Sequence, residues 1–289
     1  MTAPLTFSAR LALRNELWWT PPRWRGKRSW LDALHRVREW QAFRTRDDPH
    51  AAWRCCPYWP RLLVNKWNGR EFASKYGCDV PALYWRGSSA ASVPLESMPS
   101  HFVLRPVFGA NLSGVRLVAD GRELIWGEPA TAADLRSKLP RARLRRGVPI
   151  LIEEFVRSEG GEYRLPLELK CHTFGDTVAA VEVIDRLRVN RARHRYYTPA
   201  WEPIADPMHT GLKQDDVIRP APRHLDRLLS LAAALGAAIG TYIRIDFFAA
   251  DRGFVFNEFS TFPFSGTNYT PYCDELFGSL WAEKFPDAT

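Results

Sequence analysis

Tyr242-Ile-Arg-Ile-Asp246-Phe-Phe and Phe254-Val-Phe-Asn-Glu258-Phe are two short runs rich in β-branched and aromatic residues, separated by Asp251-Arg-Gly253. The composition of each run predicts a strand, and the Asp/Gly segment between them predicts a turn. A hairpin of this length sets Asp246 and Glu258 close together across the sheet. Two carboxylates facing the same way in a ladder repel by about 0.2–1 kcal/mol if nothing bridges them. A hard divalent cation removes that repulsion, and magnesium takes carboxylates together with phosphate oxygens of a substrate. Arg244 lies two residues before Asp246 and therefore on the same face, where it can steady developing negative charge. The spacing alone fits a surface Arg–Asp–Glu network equally well.

Upstream of the hairpin, residues 222–240 read as a strong helix, and residues 188–206 as a polar, aromatic, Pro-bearing loop too long for a tight turn. Residues 165–173 alternate apolar with polar, turn at Gly175–Asp176 and return over 178–184. Farther back, strands are predicted over 101–105, 115–119 and 149–156. Asp120–Gly121 is a hairpin signal returning through 123–126, and 132–139 reads as a helix. Residues 65–76 read as a helix that Gly77 is placed to end. Pro57 and Pro60 mark a boundary near residue 62. Before it, Ser29 and Asp32 resemble a capping box, and Trp30, Leu31, Leu34, Val37, Trp40 and Phe43 form an apolar stripe at helical spacing. The expected fold is α+β in two lobes, not a doubly wound sheet. It divides into an Arg/Trp-rich helical extension over 1–61, a small lobe over 62–152 and a large lobe over 153–289.

The chain has 289 residues, 46% hydrophobic and 25% charged, which is ordinary for a globular protein with a real core. Its formal charge is +8, with Arg clusters at the start and at Arg141, Arg143, Arg145 and Arg146. A basic surplus suits nucleic acid, an anionic membrane or an acidic small molecule, but no zinc-finger spacing or RNP-like strand supports nucleic acid. No stretch approaches the roughly 20 apolar residues of a membrane span, and Arg10, Arg14 and Glu16 break any signal-peptide core. A cytoplasmic location is expected, with Cys55, Cys56, Cys78, Cys171 and Cys273 as free thiols. The chain carries no G-x-S-x-G elbow and no H-E-x-x-H, so serine hydrolysis and zinc proteolysis have no support, and His172 and His194 have no ligand-like partners.

The R-x-D strand followed by N-E-F-S-T-F-P resembles the metal-binding end of the ATP-grasp superfamily. An ordered series of pieces resembles the TupA-like ATP-grasp family in particular. They are Lys66-Trp-Asn-Gly-Arg70-Glu-Phe, Phe102-Val-Leu-Arg105-Pro with the 109–114 loop, Ile152-Glu-Glu-Phe-Val156, and Pro166-Leu-Glu-Leu-Lys170-Cys-His-Thr-Phe-Gly175. After Asp185–Arg186 and residues 196–201 the series closes on the final strand pair.

The resemblance implies an ATP-grasp fold with ATP gripped between two lobes. It implies that Arg70 and Arg105 reach the phosphates, and that a loop containing Gly109, Ser113 and Gly114 closes over them through backbone N–H groups. Glu153, Glu154, Phe155 and Val156 match the hinge that holds adenine, and Glu162 or Glu168 would meet the ribose. Lys170 matches a lysine facing the nucleotide. Asp246 and Glu258 would ligate Mg²⁺, with Ser260 standing where many members have a metal-ligating Asn. The implied reaction is carboxylate–amine ligation: ATP phosphorylates an acid, an amine displaces the phosphate, and Arg244 stabilises the oxyanion. Acidic small-molecule or peptide substrates follow, in cell-envelope polymer or specialised peptide biosynthesis. The alternatives are a phosphotransferase on the same fold and a silent polyanion-binding protein.

Overall fold

The computed structural model describes residues 42–56, 59–109, 112–139, 147–188, 191–261, 263–266 and 269–285. The helix expected along the stripe from Trp30 to Phe43 lies outside them up to residue 41, residues 42 and 43 being non-helical, and the arginines at 141–146 also lie outside. Among the described residues eleven strands form two antiparallel sheets. One sheet has six strands in the order β1-β6-β2-β3-β4-β5 and the other five in the order β11-β10-β7-β8-β9. The first contains β1 (Leu83–Gly87), β2 (His101–Pro106), β3 (Arg116–Ala119), β4 (Arg122–Glu123), β5 (Glu128–Pro129) and β6 (Ile150–Glu154). The second contains β7 (Glu168–Phe174), β8 (Thr177–Arg188), β9 (Arg191–Tyr197), β10 (Tyr242–Ala250) and β11 (Gly253–Ser260). Helices are α1 (His50–Trp53), α2 (Lys66–Lys75), α3 (Ala132–Ser137), α4 (Leu225–Ile239) and α5 (Pro271–Lys284). The architecture is α+β, and no described helix is long and apolar enough to cross a membrane.

Local chemistry explains the boundaries. The Asn65 side chain caps α2 by accepting from the Trp67 and Asn68 N–H groups, and Gly77 follows the helix at φ 77°. Thr131 and Asp134 form a reciprocal capping box on α3. α4 lays Leu228, Ala232, Leu235 and Ile239 on the back of the five-stranded sheet, where Leu169, Val181, Ile243 and Ile245 complete the main core. Gly236 lets this helix close in, because a Cβ there would stand 2.1 Å from the Gly175 carbonyl oxygen. Helix propensity alone would make Gly236→Ala stabilising. Overpacking reverses the sign, and we expect a loss of about 2–3 kcal/mol, read as a lower urea midpoint.

Several elements depart from the sequence expectation. The return strand expected over 123–126 stops at Glu123, since the buried Glu123 carboxylate accepts from the Leu117, Ile125 and Trp126 N–H groups and curls the chain into a turn. The loop expected over 188–206 contains β9, an Arg-rich strand whose charges hid its period. Neither β1 nor α5 was expected. α5 had a legible start, with Thr270 as N-cap to the Cys273 N–H and Pro271 in the first turn. The five cysteines are free thiols.

Candidate active site

Alternation along β7, β8 and β10 divides the five-stranded sheet into unlike faces. Leu169, Cys171, Val181, Val183, Ile243 and Ile245 take the core face. Glu168, Lys170, Glu182, Arg244 and Asp246 take the other, and each of them is buried. Register then aligns Glu182 with Lys170, Lys170 with Asp246, and Asp246 with Glu258. One row of charge therefore crosses β8, β7, β10 and β11. A bulge after Asp246 inserts Asn257 beside Glu258.

Asp246, fully buried, is the hub of this row. Arg244 Nε donates to its Oδ1 and Nη2 to its Oδ2, both at 2.8 Å, and Lys170 Nζ donates to Oδ2 at 2.9 Å. Burial works against the Asp246 charge, but the Arg244 and Lys170 charges outweigh it and hold the carboxyl below its usual range. Lys170 also meets Glu168 Oε2 at 3.0 Å, and Glu168 pairs in turn with Arg186. Burial and the Arg244 charge oppose the Lys170 ammonium, yet Asp246, Glu168 and Glu182 together raise its pKa above normal.

The charged face forms one wall of a cleft of about 590 Å³. The opposite wall comes from the six-stranded sheet and its loops, through Arg105, Gly109, Ser113, Glu153 and Glu154, with Phe155 and Val156 just beyond β6. Glu258, Ser260, Lys170 and Arg244 line it from the other side. Gly114 lies off the cleft wall, at φ 79° in the loop behind it.

Other predicted residues are placed differently. Arg70 does not line the cleft; its Nη1 donates to Glu153 Oε1 at 2.6 Å and to the Pro81 carbonyl at 3.1 Å. Glu153 joins it to Arg105, whose Nε donates to Glu153 Oε2 at 2.6 Å and whose Nη1 reaches Asn257 Oδ1 at 3.0 Å. Glu162 is exposed outside the cleft and closes its own turn on Ser158 and Arg164, whereas Glu168 does line the cleft. Asp246 lies beneath the wall, covered by its cations. Lys66, given no role by the sequence reading, lines the cleft and donates to the Gly109 carbonyl at 2.7 Å. Its position as the first residue of a capped helix that carries a cation into the interior was the available signal.

A family model described as TupA-like ATP-grasp matches residues 61–282. The chain belongs to the TupA-like ATP-grasp family. Among solved structures it is similar to the ATP-grasp ligase PsnB complexed with minimal precursor, at 16% identity and a TM-score of 0.43, covering 75% of this chain and 60% of that one. It is also similar to VanG D-Ala:D-Ser ligase from Enterococcus faecalis, at 18% identity and a TM-score of 0.47, covering 76% and 58%. For D-cycloserine synthetase DcsG the identity is 14%, the TM-score 0.48 and the coverage 78% and 72%. The chain thus spans less than two thirds of PsnB and VanG. A search of curated proteins returned no match.

In this ATP-grasp chain the donor set suits a magnesium nucleotide. Among the described residues no cluster of three or more His, Cys, Asp or Glu side chains can hold a metal by itself. Asp246 already accepts from three N–H donors, which leaves room for about one more partner. Glu258 is less committed, with its carboxylate about one third exposed and Lys66 Nζ at 3.4 Å. Burial lowers the Lys66 pKa despite that pairing. Magnesium characteristically combines one or two carboxylates with water and phosphate oxygens, and Glu258 and Ser260 face the cleft where such oxygens would lie.

Two histidines flank the charged row. His172 is buried, with Nδ1 2.9 Å from the Tyr242 hydroxyl, and burial brings its pKa down to about 4. An unfolded histidine titrates near 6.5. As pH falls from about 6.5 to 4 the unfolded chain takes up a proton that the folded chain refuses, so stability drops by about 3 kcal/mol from this group. Above pH 6.5 the group contributes no slope. Comparing urea midpoints of wild type and His172→Gln across that window should show a shallower fall in the variant; equal slopes would exclude this origin. His194 lies on the cleft wall with Nδ1 2.9 Å from Glu182 Oε1.

Proposed function

We propose that the protein is an ADP-forming carboxylate–amine ligase that uses ATP and magnesium and passes through an acyl phosphate. The observation that carries this reading is the register of Asp246 with Glu258, beside Lys170 and Arg244, at a cleft between two sheets of an ATP-grasp chain. In this reading residues 62–152 and 153–289 act as the two lobes, and adenine lies by Phe155 and Val156. Lys66, Arg105 and Lys170 hold the triphosphate in line, with Gly109 and Ser113 of the loop closing over it. Arg70 acts through Glu153 by holding Arg105 in place. Glu258 and Ser260, with Asp246 behind, would hold magnesium, which supplies charge neutralisation on the transferring phosphoryl group. Arg244, fixed by its bidentate contact with Asp246, points its remaining donors at the acyl oxygen that gains charge. The basic surplus of the chain, +8 overall, suits an acidic small-molecule or peptide substrate, in envelope-polymer or specialised peptide synthesis.

The test is incubation with ATP, magnesium and pools of acids and amines. The ligase reading requires ADP release that depends on both partners and an amide detected by mass spectrometry. ADP release with a phosphorylated acceptor and no amide would make the protein a phosphotransferase. Binding of polyanions with a steep salt dependence, without ATP turnover, would make it a silent binder.

A further inference from the structure

Glu182 and His194 belong to neither the nucleotide contacts nor the metal set described above. Glu182 is fully buried on β8, directly opposite Lys170. Lys170 turns its ammonium to Asp246 and Glu168 instead. Of the Glu182 oxygens, Oε1 meets His194 Nδ1 at 2.9 Å, and Oε2 has no hydrogen-bond partner among the described residues. A buried carboxylate oxygen without a partner is costly to keep, and such groups call for a reason. Its charge survives because the His194 hydrogen bond and the Lys170 and Arg244 charges overcome the penalty of burial. His194 lines the cleft beside this carboxylate, with its side chain 17% exposed where that of Glu182 is fully buried. A hydrogen bond from Nδ1–H to Glu182 leaves the imidazole Nε2 lone pair free, the arrangement by which a carboxylate makes histidine a base.

We infer that His194, oriented by Glu182, is the proton acceptor for the amine substrate and marks where that amine enters. The inference rests on the ligase reading. An amine arrives as an ammonium ion and must lose a proton before it can attack. His194 Nε2 takes that proton, and the nearby Glu182 charge balances the imidazolium. The free amine adds to the acyl carbon, forming the C–N bond. The C–O bond to phosphate then breaks, and its electron pair leaves on phosphate, which takes the second nitrogen proton. The products are the amide, hydrogen phosphate and a protonated His194 that returns its proton to water. Glu182 is a positioning residue here, because it acts through His194.

Hydroxylamine separates this step from the ones before it, because it is uncharged at neutral pH and needs no base. The probes are N-acetylated amino acids and glucuronate as acids, with amino-acid amides or hydroxylamine as nucleophile, in the presence of ATP and magnesium. For His194→Gln we expect amide formation to fall by about 100-fold or more while hydroxamate formation stays within about threefold. Glu182→Gln should show the same split, with a smaller fall of about tenfold, and Glu182→Asp should recover part of it. Thermal stabilisation by magnesium–ATP, equal in all variants, checks that they fold. A parallel fall in hydroxamate and amide, or no fall in either, overturns the assignment. A wild type that makes neither product from these pools while hydrolysing no ATP defeats the ligase reading itself.

Discussion

Glu258→Gln should reduce magnesium-dependent ATP turnover by about 10²–10³-fold while leaving the urea midpoint close to that of wild type. Asp246→Asn should reduce turnover as severely and also destabilise the fold by about 3–5 kcal/mol. The two residues face each other in one ladder row, yet their surroundings differ. Glu258 is about one third exposed and meets one cation, Lys66, at 3.4 Å, and that ammonium keeps the Gly109 carbonyl at 2.7 Å as an acceptor when the carboxylate charge is gone. Asp246 is fully buried and holds both the Arg244 guanidinium and the Lys170 ammonium. Removing its charge leaves the buried Arg244 guanidinium without its bidentate counter-ion and Lys170 with Glu168 at 3.0 Å as its one remaining close carboxylate, so desolvation of the pair is far less well offset. A magnesium titration of ADP release, read beside equilibrium unfolding, separates the two effects. Turnover retained in Glu258→Gln would remove it from the metal set, and equal destabilisation by both variants would contradict the burial difference.

The strands bearing these carboxylates were legible because their chemistry is periodic. E-L-K-C-H and I-R-I-D-F alternate strictly, so the face of Lys170, Arg244 and Asp246 followed from the pleat once strands were assumed. Pairing was also legible for β10 and β11, whose turn fixes their register. The alignment of Lys170 with Asp246 was not, because β7 and β10 are joined by more than sixty residues and local pattern says nothing about such partners. Long side chains escaped prediction for a related reason. Arg70 sits in a phosphate-binding motif by resemblance, but a flexible guanidinium goes to whichever carboxylate the fold brings near, and β6 brings Glu153. Glu162 escaped likewise, since a Ser158 four residues earlier offered a partner within its own turn. Lys66 opens a family-matching piece in which only Arg70 was given a role, and His194 reaches the cleft from a strand whose charges made it read as a loop.

Glu153→Ala should destabilise the protein by about 3–5 kcal/mol and raise the KM for ATP. The Glu153 carboxylate is 1% exposed and accepts from Arg70 and Arg105, each at 2.6 Å. Through Arg105 the link continues to Asn257 in the β11 bulge, so one carboxylate connects α2, both sheets and the cleft wall. Its loss leaves the buried Arg105 guanidinium with no counter-charge and Arg70 with only Glu71 at 3.5 Å, and Arg105 is then free to leave the position from which it faces the cleft. Arg70 and Arg105 should part company in conservative variants. A lysine cannot reproduce the fork that lets Arg105 hold Glu153 and Asn257 at once, so Arg105→Lys should raise the KM for ATP by about tenfold. Arg70→Lys touches Glu153 and the Pro81 carbonyl, away from the cleft, and should lower stability with the KM for ATP changed by less than about threefold. Steady-state kinetics with urea unfolding on the three variants decides between positioning and contact. If Arg70→Lys raises the KM as much as Arg105→Lys at unchanged stability, Arg70 swings into the cleft on nucleotide binding and meets phosphate directly.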